Sequence, residues 1–199
     1  MNTRSATSEP AQSPKNDGAD RIEEQLSFKS RFVLLFGEVD DALARSICRR
    51  LLALSEASDA PITVVISSPG GHVESGDAIH DMIRFIRAPV TTVGTGWVAS
   101  AGAHIFLSPP KDRRVCLPNT RFMIHQPAGG AGGQASDIAI QAKEIIKTRE
   151  RIARVISKQT GQPLATVLTD IERDFWMSAD EAVKYGIVSR IIERQADLA

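Results

Sequence analysis

From about residue 30 onward, short β-branched and aromatic runs alternate with amphipathic ones. The run RFVLLFGEV is continuous in apolar side chains, which predicts a buried strand. DDALARSICRRLLALSEAS then places Leu43, Ile47, Leu51 and Leu54 on one helical face behind the capping residues Asp40 and Asp41. The cycle repeats in ITVVIS, the turn SPGG, and VESGDAIHDMIRFIR, whose apolar stripe of Val73, Ile79, Met82, Ile83 and Ile86 ends before Pro89. VTTVG predicts a third strand, the small-residue run GWVASAGA opens a helix, and RRVCL and RFMIH predict further strands. A glycine-rich stretch, QPAGGAGGQ, precedes a long helix from about Ala135 to Lys158. A last helix begins at Ser178, with Glu181 in capping-box position and Gly186 as its stop.

Strands joined by helical crossovers imply parallel pairing and an α/β layered fold. The first twenty residues hold no Ile, Leu, Val or aromatic side chain, so they lack the apolar segment of a secretory signal and cannot pack a core. Residues 1–27 are expected to be a disordered tail or pro-segment, and 28–199 one domain. At 199 residues and 42% hydrophobic composition, the chain can bury such a core. Lysine plus arginine equals aspartate plus glutamate at 24 each, which leaves no basic field for nucleic acid. No run is apolar and charge-free enough to span a bilayer. Cys48 and Cys116 sit in apolar contexts that suit buried thiols in a reducing compartment. The expectation is a cytoplasmic protein with no nucleic-acid or membrane partner.

Ser100, on its bed of alanine and glycine, raises the question of chemistry. A hydroxyl is a weak nucleophile unless an imidazole takes its proton, a carboxylate orients that imidazole, and N–H groups receive the developing oxyanion. Ser100 follows a strand, His125 closes RFMIH, and Asp174 stands in IERDFW; the glycines of SPGG permit close backbone approach at another strand end. Carboxyl ends of parallel strands are where α/β folds place sites. A packing serine and a satisfied histidine are the bland alternatives. The run is not a G-x-S-x-G elbow, because Val98 stands two residues before Ser100, and the chain order Ser, His, Asp differs from that of α/β-hydrolases. His104, one helical turn after Ser100, makes a poor proton relay because the i,i+4 relation is rigid.

Four segments together resemble the proteolytic subunit of the Clp protease, ClpP: ISSPGGHVESGDAIHDMIRFIRAPVTTVGTGWVASAGA, LPNTRFMIHQPAGGAGGQASDIAIQAKEI, TGQPL, and DIERDFWMSADEAVKYGIVSRII. The resemblance runs from Phe32 to Glu193. It implies a ClpP/crotonase-type α/β fold of repeated ββα units, with a protruding handle helix and strand over about 126–160 and a ring assembly. It implies Ser100 as nucleophile, His125 as general base, Asp174 as orienting acid, and the N–H groups of Gly71 and Ala101 as oxyanion hole. Small residues beside Ser100 are then expected to make room for an extended substrate. Glu172 and Arg173 match a charged pair at the ring-to-ring interface. The implied assembly is a tetradecamer of two heptamers, homomeric or mixed with a second ClpP. Unfolded proteins arrive from an AAA+ unfoldase such as ClpX or ClpA. No metal or cofactor is expected, ATP being used by the unfoldase and not by this chain.

Two departures face the end that meets the unfoldase. Thr63 and Val65 stand where the family carries tyrosines that line docking pockets, and the polar RIEEQLSFKSRF replaces the usual axial segment and first helix. Direct docking is therefore expected to be weak, and a regulatory or weakly active ring subunit beside a typical ClpP is the alternative function. A crotonase-type acyl-CoA enzyme is a further alternative, which the Ser-His-Asp set and MIHQP oppose.

Overall fold

The computed structural model describes residues 17–130 and 132–198. The described residues fall into two units, one ending at Ser30 and a compact one beginning at Arg31. In the first unit a helix, α1, runs Asp17–Ser30, so the tail boundary expected at residue 27 falls inside a helix. Ile22 and Leu26, four positions apart, give it one apolar stripe, and both are exposed. The rest of the expected tail lies outside the described residues.

The second unit is organised on a seven-stranded sheet. Strand β1 (Phe32–Phe36) leads to α2 (Asp41–Ala57), β2 (Ile62–Ser68), α3 (Val73–Phe85), β3 (Val90–Ala99) and α4 (Ala101–Phe106). Then come β4 (Arg114–Cys116), β5 (Arg121–Ile124), the long α5 (Ala135–Thr160), α6 (Leu164–Asp170), β6 (Phe175–Ser178), α7 (Ala179–Tyr185) and β7 (Arg190–Ile191). The main order is β1-β2-β3-β4-β7, all parallel, as the strand–helix alternation predicts. A branch leaves it at the end of β3. Trp97, Val98 and Ala99 pair in parallel with β5, which pairs antiparallel with β6. The ten-residue β3 can serve two neighbours because its register against β2 shifts between Ile66 and Ser68. Those two branches bring Ser100 and His125 to adjacent strand ends.

Helix α2 starts where Asp40 accepts the N–H of Leu43, a cap that contributes about 1 kcal/mol. It buries Ile47, Leu51 and Leu54, each a gain of about 1.5–3 kcal/mol over exposure. Helix α7 has the full capping box of Ser178 and Glu181 and ends at left-handed Gly186. Strand β2 buries Ile62, Val64, Ile66 and Ser68 on one face and leaves Thr63 and Val65 half-buried on the other. The same alternation corrects the expectation for β1. Val33 and Leu35 are buried, but Leu34 is 60% and Phe36 52% exposed, because helices cover only one face of the sheet there.

At β4 the side chain of Arg114 is fully buried and Nη2 donates to the carbonyl of Gln159 in the last turn of α5. A cation there complements the negative end of the helix dipole, and burial draws its pKa down to about 10. Both cysteines are free thiols. Cys116 is buried, which pushes its pKa up to about 11, while Cys48 is only half-buried. No helix among the described residues is long and apolar enough to cross a membrane.

Candidate active site

Ser100 sits between β3 and α4 with φ 54° and ψ −121°. An L-residue with positive φ outside the left-handed helical well costs roughly 1–3 kcal/mol and persists only where the surroundings enforce it. Here Ser100 N–H donates to Met123 O at 2.9 Å and Ser100 O accepts from His104 N–H at 3.0 Å, so the turn is held by β5 on one side and α4 on the other. The sequence holds no G-x-S-x-G, yet the sharp strand-to-helix turn forms. Its room comes from Gly70, packed against it from the SPGG turn.

The small residues after Ser100 are buried. Ala101 and Ala103 are 7% and 1% exposed. A Cβ on Gly102 would lie 3.0 Å from the Ser68 Cβ, and one on Gly76 would lie 3.2 Å from the Ala101 Cβ. The alanine and glycine run therefore lets α4 approach β2 and α3 closely. Close packing is thus a second use of the small residues, beside the one expected for a substrate lying across the serine.

Ser100 Oγ is 2.7 Å from His125 Nε2, and His125 Nδ1 is 3.0 Å from Asp174 Oδ1. The three residues come from the β3–α4 turn, the end of β5 and the approach to β6, whose antiparallel pairing holds His125 and Asp174 together. An ionised carboxylate only accepts, so His125 donates from Nδ1 to Asp174, leaving Nε2 as the acceptor for the Ser100 hydroxyl. That is the tautomer a general base requires.

Gly71 and Ala101, the residues expected to supply the oxyanion hole, follow Gly70 and Ser100, whose turns pack against each other. Val39 and Gly71 form a parallel bridge in which Val39 N–H donates to Gly70 O and His72 N–H donates to Val39 O, each at 2.7 Å. This pattern uses the groups flanking Gly71 and turns its own N–H away from Val39. Gly71 holds φ +145°, and a Cβ there would meet Val39 O at 2.3 Å. Ala101 is the first residue of α4, so its N–H has no intrahelical acceptor. Ser68 Oγ receives Gly70 N–H at 3.1 Å and fixes the turn.

A mainly apolar pocket opens on Ser100 and His125, lined by Val73, Ala103, Leu107, Ile124, Ile152 and Ile156, with His104 in its wall. His104 is 7% exposed and stacks on His80 with ring centroids 4.5 Å apart. Its Nε2 lies 2.9 Å from Asp77 Oδ1, and the carboxylate also receives Arg151 from α5. Burial pushes the His80 pKa down, and the neighbouring His104 adds to that effect. A wider cleft continues from Gly71 and His72 along Pro127, Gly129, Gln141 and Ile145. Sequence reasoning left His104 unexplained and missed Asp77 and Arg151, whose separation along the chain gives no local signal.

Glu172 Oε2 receives Arg149 Nη2 of α5 at 3.1 Å, and Gln126 donates to the Glu172 carbonyl at 3.0 Å. Arg173 is exposed. Val65 joins Val93, Val115, Leu117, Ile192 and Leu198 in a small aliphatic cluster apart from the main core. Of the two positions where tyrosines are expected, Val65 is thus part of an aliphatic cluster and Thr63 carries a hydroxyl.

The Clp protease family model matches residues 15–195. Proteolytic subunit 3 of the ATP-dependent Clp protease of Rhizobium johnstonii is 57% identical over 171 residues, covering 86% of this chain and 88% of the relative. Proteolytic subunit 2 of Gluconobacter oxydans is 55% identical over 185 residues, 92% of this chain and 82% of the relative. The solved structure of ClpP1 from Listeria monocytogenes is 49% identical, superposes with a TM-score of 0.81, and covers 89% of this chain and 99% of that one. A match of that extent, over a chain whose serine, histidine and aspartate meet at the ends of the parallel sheet, places this chain in the Clp protease family.

Proposed function

We propose that this chain is the proteolytic subunit of an ATP-dependent Clp protease, a serine endopeptidase that cleaves unfolded polypeptides. The observation that carries the reading is the continuous hydrogen-bond path from Ser100 through His125 to Asp174, 2.7 and 3.0 Å long. Ser100 Oγ attacks the peptide carbonyl as its proton passes to His125 Nε2. The N–H groups of Gly71 and Ala101 receive the oxyanion of the tetrahedral intermediate. His125 then gives the proton to the leaving amine, and water, activated by the same imidazole, releases the acyl group from Ser100. Asp174 holds the tautomer throughout. The chemistry draws on side chains and backbone alone, and ATP acts on a separate unfoldase.

The assembly we propose is two stacked heptamers with the sites facing an inner chamber. The handle, about 126–160, supports it. Residues 126–130 lie outside the helices and strands of the described residues, and Ile138, Ile140 and Ile146 of α5 are exposed. Arg173 is exposed beside Glu172, which Arg149 engages, and offers a charge to a facing ring. A second reading is a ring subunit that works beside another ClpP. It is favoured by the aliphatic surface around Val65 and by relatives named as subunits 2 and 3. A fluorophosphonate tests the peptidase reading: the adduct forms on Ser100 in the purified protein, and its absence there would overturn the assignment.

A further inference from the structure

The pocket beside Ser100 has two walls from different parts of the chain. Helix α4 contributes Ala103 and His104, and α5 contributes Ile152 and Ile156. The distance between those helices sets how wide a substrate side chain can be when its carbonyl lies on Ser100.

One carboxylate reaches both walls. Asp77 of α3 receives Arg151 Nη1 and Nη2 at 2.7 and 2.6 Å, a two-point charge-assisted pair. Arg151 immediately precedes Ile152 of the pocket wall. On the other side, His104 Nε2 stands 2.9 Å from Asp77 Oδ1. This is a close polar contact rather than an aligned hydrogen bond, since neither ring nitrogen of His104 has a hydrogen-bond partner among the described residues. The stacked His80 covers one face of the ring, and that stack fixes its plane. The Asp77 side chain is 23% exposed, so solvent and salt screen these contacts less than surface pairs. Burial by itself would raise the Asp77 pKa, but the contacts from His104 and Arg151 outweigh it and keep the carboxyl well below the usual range. The group is ionised wherever the protein is folded at ordinary pH.

Resting on the serine-peptidase reading above, we propose that Asp77 is a positioning residue that sets the width of the pocket beside Ser100. It thereby selects which side chain next to the scissile bond is accepted. With the carboxylate in place, α5 is drawn toward α4, and the apolar walls close around a medium-sized aliphatic side chain. Without it, Arg151 loses both acceptors and His104 loses the carboxylate beside its Nε2. The walls then separate, aliphatic side chains lose contact area, and bulky aromatic ones gain entry. Ser100 is tied to His104 through the backbone and makes no hydrogen bond with the side chains of Asp77 and Arg151, so reactivity toward a probe that leaves the pocket empty is unaffected.

The test uses the full chain and two variants: Asp77→Asn, which keeps shape and removes charge, and Arg151→Met, which keeps the packed stem and removes one arm. Aminoalkyl phosphonate diphenyl esters carrying a leucine or a phenylalanine side chain, and a small alkyl fluorophosphonate with neither, are followed by intact mass. The expected result is a leucine-to-phenylalanine rate ratio lowered by about fivefold or more in both variants, about 1 kcal/mol of discrimination. The small fluorophosphonate should react within about twofold of the unmodified chain. A ratio unchanged within about twofold in both variants would overturn the proposal, as would a parallel fall with all three probes, which marks general disruption. Failure of every probe to label Ser100 in the unmodified chain would instead remove the peptidase reading and this inference with it.

Discussion

Gly70 lies so close to Ser100 that a side chain there would put its Cβ 2.5 Å from the Ser100 Cβ, with Gly70 itself at φ +100°. The strained serine turn and the SPGG turn are thus one packed unit, and neither can move alone. Gly70→Ala should cost roughly 1–3 kcal/mol of stability from the backbone strain and displace Ser100 as well. A thermal melt reads the first effect, and the fluorophosphonate rate, expected to fall by about tenfold or more, reads the second. Gly37, also at positive φ but with no atom within 4 Å of an added Cβ, is the control. Its alanine variant should carry the stability loss without the loss of reactivity.

His125 and Asp174 meet through Nδ1 and Oδ1 at 3.0 Å, with the Asp174 side chain 62% exposed. Asp174→Asn presents an amide that can donate to Nδ1, and the imidazole then carries its proton on Nε2, facing Ser100. Peptide hydrolysis should fall by about 10²-fold or more through kcat. Assembly, measured by sedimentation, should stay the same.

Arg173 is exposed while neighbouring Glu172 is held by Arg149. If Arg173 pairs across stacked rings, Arg173→Ala should shift sedimentation toward single rings and reduce activity in step. Unchanged stacking would assign ring contact to the exposed isoleucines of α5 instead.

The surface that should receive an unfoldase is aliphatic at Val65 and carries a hydroxyl at Thr63. An apolar anchor docked there gains less than it would against aromatic walls, and a loss of about 1.4 kcal/mol per pocket is tenfold in each local equilibrium. Repeated around a ring, the deficit multiplies. The purified homomer with an AAA+ unfoldase and ATP should fail to degrade a tagged stable protein, and addition of a typical ClpP should restore degradation. Processive degradation by the homomer alone would show that the aliphatic surface suffices.

What the chain announces in sequence follows from which forces are local. The periodicities of α2, α3, α5 and α7 predict helices at nearly their observed bounds, because amphipathic spacing and caps lie within the segment itself. Four-residue β6 is not legible in FWMS. It is a strand only because β5 lies beside it, and its last residue is also the cap of α7. The length of β3 is hidden for the same reason, since Gly94 and Gly96 interrupt an apolar pattern that two neighbouring strands complete. At the site, Ser100, His125 and Asp174 are found from motif and chemistry, and the distances bring them together. The packing role of the alanines and glycines is not legible, because close helix packing and open access to substrate leave the same small residues in a sequence. Asp77 could not be found, since its meaning lies in Arg151, which reaches it only in the folded chain.

The central claim is that Ser100 performs the chemistry. It is tested most directly by kcat/KM for a fluorogenic peptide, comparing the assembled protein with Ser100→Ala under identical conditions. Removing one oxygen from a half-buried position should leave assembly and melting temperature nearly unchanged and lower hydrolysis by about 10³-fold or more. Turnover in Ser100→Ala within about tenfold of the unmodified protein would contradict the account and move the nucleophile elsewhere.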